Sequence, residues 1–228
     1  LYQTLQTATT TANGDPKPTS SQVGLGVRNS SINSIFTQGS LLDSASDTSF
    51  AIEGEGFFAI RGEDRNTYYT RNGDFTWATN GANGMMLTTT DGLPVLDSSG
   101  KAITLNNSYV TSRITITGDG RICYPDANNN PQPIGMQIGM FQFNNPGGLE
   151  RQGDSLWAVT GASGQALNES TNNSVKKSKM VQGYLEGSNV QVATEMVNLI
   201  VAQRAYEMNS KAITTTDEMM QTANNLKR

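Results

Sequence analysis

Four acidic side chains near turn sequences have the types that acid–base chemistry needs. Two carboxylates that flank a bond can act as general acid and as base or nucleophile, as in glycoside hydrolysis. Glu53, Glu55, Asp64 and Asp74 are the candidates, but no spacing selects two of them, and carboxylates at turns are more often solvated. A secreted carbohydrate-active or carbohydrate-binding β protein therefore stays open as one interpretation.

A second polar cluster, Asp126–Asn130, has the opening spacing of a calcium-binding loop, with side-chain oxygens at alternate positions. An EF-hand loop needs Gly at its sixth position and Glu at its twelfth. This chain has Pro131 and Gln137 at those positions. The sequence therefore predicts a polar turn here and no metal site.

Histidine is absent from the chain, and Cys123 is the single cysteine. The lack of histidine removes the usual general base, the usual zinc ligand and every Ser–His or Cys–His nucleophile pair. The glycine pairs at 24/26 and 54/56 lack the third glycine of a dinucleotide site. Cys123 lies in a strand-like run, RITITGDGRICYP, which indicates a small buried hydrophobe and not a reactive thiol. We expect no catalytic residue, no cofactor and no metal.

The composition also limits the partners that the chain can have. Its formal net charge is -4, and 16% of its residues are charged. Nucleic-acid binding needs a basic face, so it is not expected. No stretch approaches the roughly 18 apolar residues of a membrane span, so membrane insertion is not expected either.

From Ile32 to about Tyr184 the sequence has the pattern of strands separated by turns. FAIEGEGFFAI alternates and is rich in strand-forming residues, and turn dipeptides recur at Asn72-Gly73, Asp91-Gly92 and Asp119-Gly120. We predict an antiparallel β domain over residues 28–184, either a sandwich or an irregular barrel. Residues 1–27, rich in Thr, Ser, Pro and Gly, are typical of an extended or flexible connector.

The pattern becomes helical after Ser188. Ser188-x-x-Gln191 fits a capping box, and neither Gly nor Pro occurs from Val190 to Leu226. A helix over that stretch would be about 55 Å long, whereas a compact β domain is roughly 40 Å across. For residues 185–228 we therefore predict a helix that extends beyond its own domain. The alternative is a helix folded back over the β domain.

Large apolar residues recur at a seven-residue step along this helix; we name as the helix stripe Val192, Leu199, Tyr206, Ile213 and Met220. A seven-residue repeat keeps one face toward a partner, and EMVNLIVA is apolar on all sides, which indicates several neighbours. The parallel seam from Met196 is mostly polar, so a self-sufficient two-stranded coiled coil is not expected. The predicted assembly interface comprises Val192, Met196, Leu199, Ala202, Tyr206, Ile213, Met220 and Ala223.

Several long motifs carry a family resemblance. GYLEGSNVQVATEMVNLIVAQRAYEMNSKAITTTDEMMQ resembles the C-terminal signature of bacterial flagellar axial proteins, the rod and hook group. FAIEGEGFFAI, YYTRNGDF and TDGLPVL resemble the β-domain signature of that group, and they follow in the same order. QRAYEMNSKAITTTDEMM and SQVGLGV are more similar to the distal-rod branch than to the hook protein. A proximal rod or hook protein stays the alternative within the group.

The resemblance implies a structural subunit without enzyme activity. Such subunits stack helically into a hollow tube that crosses the periplasm, carries torque to the hook and is built from chains exported by the flagellar type III pathway. The implied partners are further copies of the chain, proximal rod proteins, the hook protein and the surrounding P- and L-ring proteins.

The resemblance also implies an N-terminal helix, which would precede Leu1 and pack beside the C-terminal helix. LYQTLQ is similar to the distal-rod segment that follows that helix. The resemblance thus changes the interpretation of the first residues from a flexible linker to a strut between subunits: Leu1, Tyr2, Gln3, Thr4 and Leu5.

Overall fold

The computed structural model describes residues 6–7, 22–23, 28, 32–81, 84–172 and 174–226. The chain forms two compact units, Leu1–Phe36 and Thr37–Arg228.

The first unit contains a short antiparallel strand pair. Strands β1 (Gln6–Thr7) and β2 (Gln22–Val23) pair so that Gln6 lies opposite Val23. The predicted strut residues lie outside the described residues: Leu1, Tyr2, Gln3, Thr4 and Leu5.

The second unit consists of short strands followed by one long helix. In chain order the strands are β3 (Leu41–Asp43), β4 (Phe50–Glu53), β5 (Phe57–Arg61), β6 (Thr67–Thr70), β7 (Phe75–Thr79), β8 (Met85–Thr89), β9 (Thr104–Leu105), β10 (Thr115–Ile116), β11 (Arg121–Pro125), β12 (Pro131–Gln137), β13 (Met140–Gln142), β14 (Glu150–Gly153), β15 (Leu156–Ala158), β16 (Leu167–Asn168), β17 (Lys179–Gln182) and β18 (Tyr184–Glu186). The 3₁₀ turns Thr111–Arg113 and Pro146–Gly148 lie between strands of this unit.

The strands pair antiparallel in every sheet of the described part of the chain. The largest sheet has the order β14-β15-β6-β5-β13-β16 and is open, so it does not close into a barrel. Two three-stranded sheets, β7-β8-β9 and β10-β11-β12, and two strand pairs, β4–β17 and β3–β18, complete the unit. The prediction of a mainly antiparallel β protein with one long C-terminal helix is confirmed.

Strand β5 lies between two apolar clusters. Phe58 and Ile60 are fully buried in the main core, whereas Phe57, on the other face, packs edge-on to Phe143 with ring centres 5.5 Å apart. Phe143 in turn packs edge-on to Tyr69 at 4.9 Å. Strands covered on both faces read as continuous apolar runs. The predicted alternation of FAIEGEGFFAI is therefore wrong, and Phe50–Ile52 is buried without interruption.

The three predicted turns differ in what they join. Gly92 and Gly120 have φ angles of +83° and +79°, which glycine adopts without a steric penalty, and each reverses the chain between paired segments. Asn72-Gly73 instead passes the chain from β6 to β7, which belong to different sheets. Glycine is needed at position 73 because a Cβ there would overlap the carbonyl oxygen of Phe50.

Helix α1 (Val192–Asn225) has 34 residues and is therefore about 51 Å long. The predicted capping box is wrong, because the helix begins later than the motif requires: Gln191 is the N-cap and its side chain makes no capping bond. The Ser188 hydroxyl accepts a hydrogen bond from the Val190 N–H at 3.2 Å. No residue of α1 is buried, so a helix folded back over the β domain is not observed.

Candidate assembly surface

Every residue of the predicted interface lies on α1 and is exposed in the single chain. The large apolar side chains are 60–76% exposed, from Met196 at 60% to Tyr206 at 76%. Apolar residues exposed singly are ordinary, but a contiguous apolar face on a monomer marks an interaction surface. The exposure therefore gives the helix stripe the properties of a contact face that its own β domain leaves uncovered.

The helix stripe winds slowly around α1. A straight α-helix drifts by about 20° for each seven-residue step, so the four steps from Val192 to Met220 amount to roughly 80°. A straight partner lying parallel to α1 would lose contact with one end of the stripe. Continuous contact requires partners that supercoil with α1 or several partners that each cover part of it.

Threonine hydroxyls in the second half of α1 form hydrogen bonds within the helix itself. The hydroxyls of Thr215, Thr216 and Thr222 donate to the carbonyls four residues earlier at 2.7–2.8 Å. Such bonds satisfy the hydroxyl locally, which leaves the threonine methyl groups available for packing. Thr216 lines a shallow groove beside the stripe residues Ile213 and Met220.

The β domain fixes the place where the chain enters the helix. Strand β18 pairs with β3, with Glu186 opposite Leu41. The Gly187 N–H then donates to the Ser40 carbonyl at 2.8 Å, and the Asn189 amide donates to the Thr37 carbonyl at 2.8 Å. The segment leading into α1 thus runs beside the segment that opens the second unit.

The acidic side chains considered for catalysis belong to turns and strand ends. Asp64 accepts hydrogen bonds from the Tyr68 hydroxyl at 2.8 Å and the Asn66 N–H at 3.0 Å. These bonds, the tyrosine's first, lower the pKa of Asp64, and the same carboxylate raises the pKa of Tyr68. Glu53 and Glu55 are exposed, and Asp74 is half-buried.

The calcium-like segment is a polar turn, as predicted. One Asp126 carboxylate oxygen accepts the N–H groups of Asn128 and Asn130 at 2.8 and 3.0 Å, so the side chain shapes the turn between β11 and β12. Among the described residues, no three His, Cys, Asp or Glu side chains converge to hold a metal. Cys123 is buried at 4% exposure, which confirms its interpretation as a core residue.

Glu169 is a buried carboxylate that the sequence pattern does not mark. It is 2% exposed and accepts from the Gln142 amide and the Ser178 hydroxyl, both at 2.8 Å, and from the Ser178 N–H at 2.7 Å. Neutral donors therefore satisfy it, and it ties the segment after β16 to β13. Its surroundings in sequence, ALNESTNN, are those of a solvated loop.

Comparison with known families places these features in one class. Residues 51–124 match the family described as the flagellar hook protein FlgE/F/G D1 domain. Residues 181–226, which include all of α1, match the family described as the flagellar basal body rod FlgEFG protein C-terminal. The β domain and the exposed helix are thus those of the flagellar hook and rod proteins. Within the described residues, no helix is long and apolar enough to cross a membrane.

Whole-chain relatives narrow the class to one branch. The chain is 40% identical to the flagellar basal-body rod protein FlgG of Borreliella burgdorferi, over 100% of this chain and 83% of the relative. It is 38% identical to FlgG of Buchnera aphidicola from Acyrthosiphon pisum, over 97% and 81%, and 37% identical to FlgG of Agrobacterium fabrum, over 96% and 80%. The chain belongs to the FlgG family of flagellar basal-body rod proteins.

The family membership settles the class of function. The chain is a structural subunit of the flagellar basal-body rod, it is not an enzyme, and it assembles in the basal body with other flagellar proteins. The resemblance found in the sequence motifs is confirmed. The carbohydrate-active interpretation and the proximal rod or hook alternative are not favoured.

Proposed function

We propose that the chain polymerises into the distal rod through α1, with the helix stripe as the main contact between subunits. The observation that carries this proposal is a helix of 34 residues without a buried side chain that has large apolar residues at a seven-residue step. Covering such a side chain completely contributes about 1.5–3 kcal/mol. The helix stripe has five such side chains. When every subunit of a non-closing helical stack contributes these contacts, their summed free energy favours a stiff tube.

The proposed contacts have two further parts. Met196, Ala202 and Ala223 flank the stripe, and the alanines let neighbouring helices approach closely. In this proposal residues 1–27 form a strut between subunits and residues 28–184 form the outer β domain. Residues 185–228 lead into and include α1, which is the inner helix. The strut proposal for Leu1–Leu5 rests on its resemblance to distal-rod segments, and an electron cryomicroscopy map of the rod should place it against a neighbouring subunit.

The setting proposed for this assembly follows from the family. Chains exported by the flagellar type III pathway stack on proximal rod proteins, cross the periplasm inside the P- and L-ring proteins, and end at the hook protein. The tube transmits torque from the motor to the hook. Further copies of this chain are the proposed partner along most of the tube.

The experiment compares two single substitutions in the full-length protein. Leu199→Asp places a charge in the helix stripe, whereas Asn198→Asp adds the same charge one residue earlier at a polar position. We expect Leu199→Asp to abolish tubes of the purified protein and swimming of the cells, and Asn198→Asp to retain both. Straight tubes and normal swimming with Leu199→Asp would contradict the proposal that the helix stripe is the assembly surface.

A further inference from the structure

A largely buried ion pair lies where the chain leaves the β domain for α1. Arg71 Nε is 2.8 Å from one Glu186 carboxylate oxygen, and the two side chains are 13% and 10% exposed. Arg71 Nη2 donates to the other oxygen at 3.0 Å. Two parallel bonds of this kind fix the relative orientation of guanidinium and carboxylate as well as their distance.

The remaining donors of Arg71 hold the turn between β4 and β5. Its Nη1 donates to the carbonyls of Gly54 and Gly56 at 3.0 and 3.2 Å. The guanidinium carbon also lies 5.7 Å from the centre of the Phe57 ring, within the range of a cation–π contact. Arg71 itself comes directly after β6, an inner strand of the six-stranded sheet. The arginine of the ion pair is therefore attached directly to an inner strand of the largest sheet.

Glu186 holds the other two segments of the junction. Besides Arg71, its Oε1 accepts the Gly39 N–H at 3.0 Å, which belongs to the segment that opens this unit. The backbones of Gly39 and Gly187 approach so closely that a Cβ on Gly39 would overlap the Gly187 carbonyl. The opening segment and the segment leading to α1 are thus bound side by side through one carboxylate.

We propose that the Arg71–Glu186 pair is the mechanical joint through which load on α1 reaches the β domain. Glu186 is the last residue of β18, and the segment from Gly187 to Gln191 that follows has no regular secondary structure. A bidentate charged pair at the start of that segment resists bending and twisting of the helix against the domain more than a single neutral bond does. The inference rests on the proposed function, because it requires α1 to be held in the rod.

The first test measures the joint in the purified chain. Arg71→Lys keeps the charge but loses the fork, and Glu186→Gln keeps the shape but loses the charge. We expect amide hydrogen exchange at Gly39 and Gly187 to be at least tenfold faster in both variants, with Phe58 and Ile60 unchanged. The matched control is Arg151→Lys, an exposed arginine on β14. Unchanged exchange at Gly39 and Gly187 would overturn the proposal.

The second test measures load on the full-length protein in cells. We expect Arg71→Lys and Glu186→Gln to build rods in normal number by electron microscopy and to swim normally in dilute medium. In viscous medium their speed should fall at least twofold below that of Arg151→Lys. Normal speed in viscous medium would contradict the proposal. A loss of rods would also contradict it, because the proposed joint acts after assembly. Failure of the proposed function is a separate result: the Leu199→Asp strain would then build rods.

Discussion

The β domain and helix α1 treat their apolar residues in opposite ways. In the domain, Phe58 and Ile60 are fully buried by residues of the same chain. On the helix, Leu199 and Tyr206 are 68% and 76% exposed. The domain therefore has the contacts for a stable fold within one subunit, whereas the helix has a surface that its own chain leaves uncovered and that we propose other subunits cover. Residues of one chemical type thus serve stability in one region and, in our proposal, assembly in the other.

Two aromatic truncations test this comparison, and one of them should give the largest change in the free energy of unfolding. Phe58→Ala removes a fully buried ring and should lower the free energy of unfolding of the isolated chain by about 3–5 kcal/mol. Tyr206→Ala removes a ring from the exposed helix and should change it by less than about 0.5 kcal/mol. Denaturant unfolding followed by tryptophan fluorescence measures both. Equal losses would mean that α1 is packed in the single chain and that the comparison fails.

A glycine pair tests how tightly the β domain is packed. Gly73→Ala places a methyl group against the carbonyl of Phe50, so the backbone must shift and the domain should lose about 2–3 kcal/mol. Gly161→Ala introduces the same methyl group where no atom lies within 4 Å, and the change should stay within about 0.5 kcal/mol. The same unfolding assay applies. A mild effect at Gly73 would show that the junction between β6 and β7 yields easily.

The helix and its stripe were predictable because their signals are local and periodic. The Asp91-Gly92 and Asp119-Gly120 turns were predictable for the same reason, since a turn depends on a few adjacent residues. The capping box failed at a boundary where the polar residues before the helix have other partners: Asn189 binds Thr37. A four-residue motif cannot register that competition.

The strand pairing and the polar clusters could not be read from the sequence because they join distant residues. Strand β5 pairs with β13 as well as with its neighbour β6, and Arg71 meets Glu186 across 115 positions. Glu169 and Ser178 are close in sequence, but only the fold buries them beside Gln142. The polar residues that form the junction between the β domain and the start of α1 are therefore selected by the packing of the domain and not by a sequence motif.

A substitution at the helix start should act on α1 alone. Gln191 is the N-cap and makes no capping bond, whereas an aspartate there can accept from the first free N–H groups and complements the helix dipole. We expect Gln191→Asp to stabilise the helix of the isolated chain by about 1 kcal/mol, seen as a stronger circular dichroism signal at 222 nm. Gln203→Asp, the same change inside the helix, should weaken that signal. A shift of the β-domain unfolding midpoint with Gln191→Asp would show that the two regions are coupled.

The smallest expected effect is the pH response of one turn in the β domain. The Tyr68 hydroxyl, then the Asn66 N–H, hold the pKa of Asp64 below its ordinary value, so the ionised carboxylate favours the folded turn. Because the folded-state pKa is the lower one, this contribution is present above the unfolded-state pKa and is lost as the pH falls through the folded-state pKa. In an NMR titration of the Asp64 carboxyl, Tyr68→Phe should raise the midpoint, whereas Tyr109→Phe should leave it in place.

The helix signal at 222 nm should be the same for Tyr68→Phe and the unsubstituted chain over this pH range, since no residue of α1 is buried against the domain. A helix signal that changed with the Asp64 titration would instead mean that α1 and the β domain are energetically coupled in the single chain.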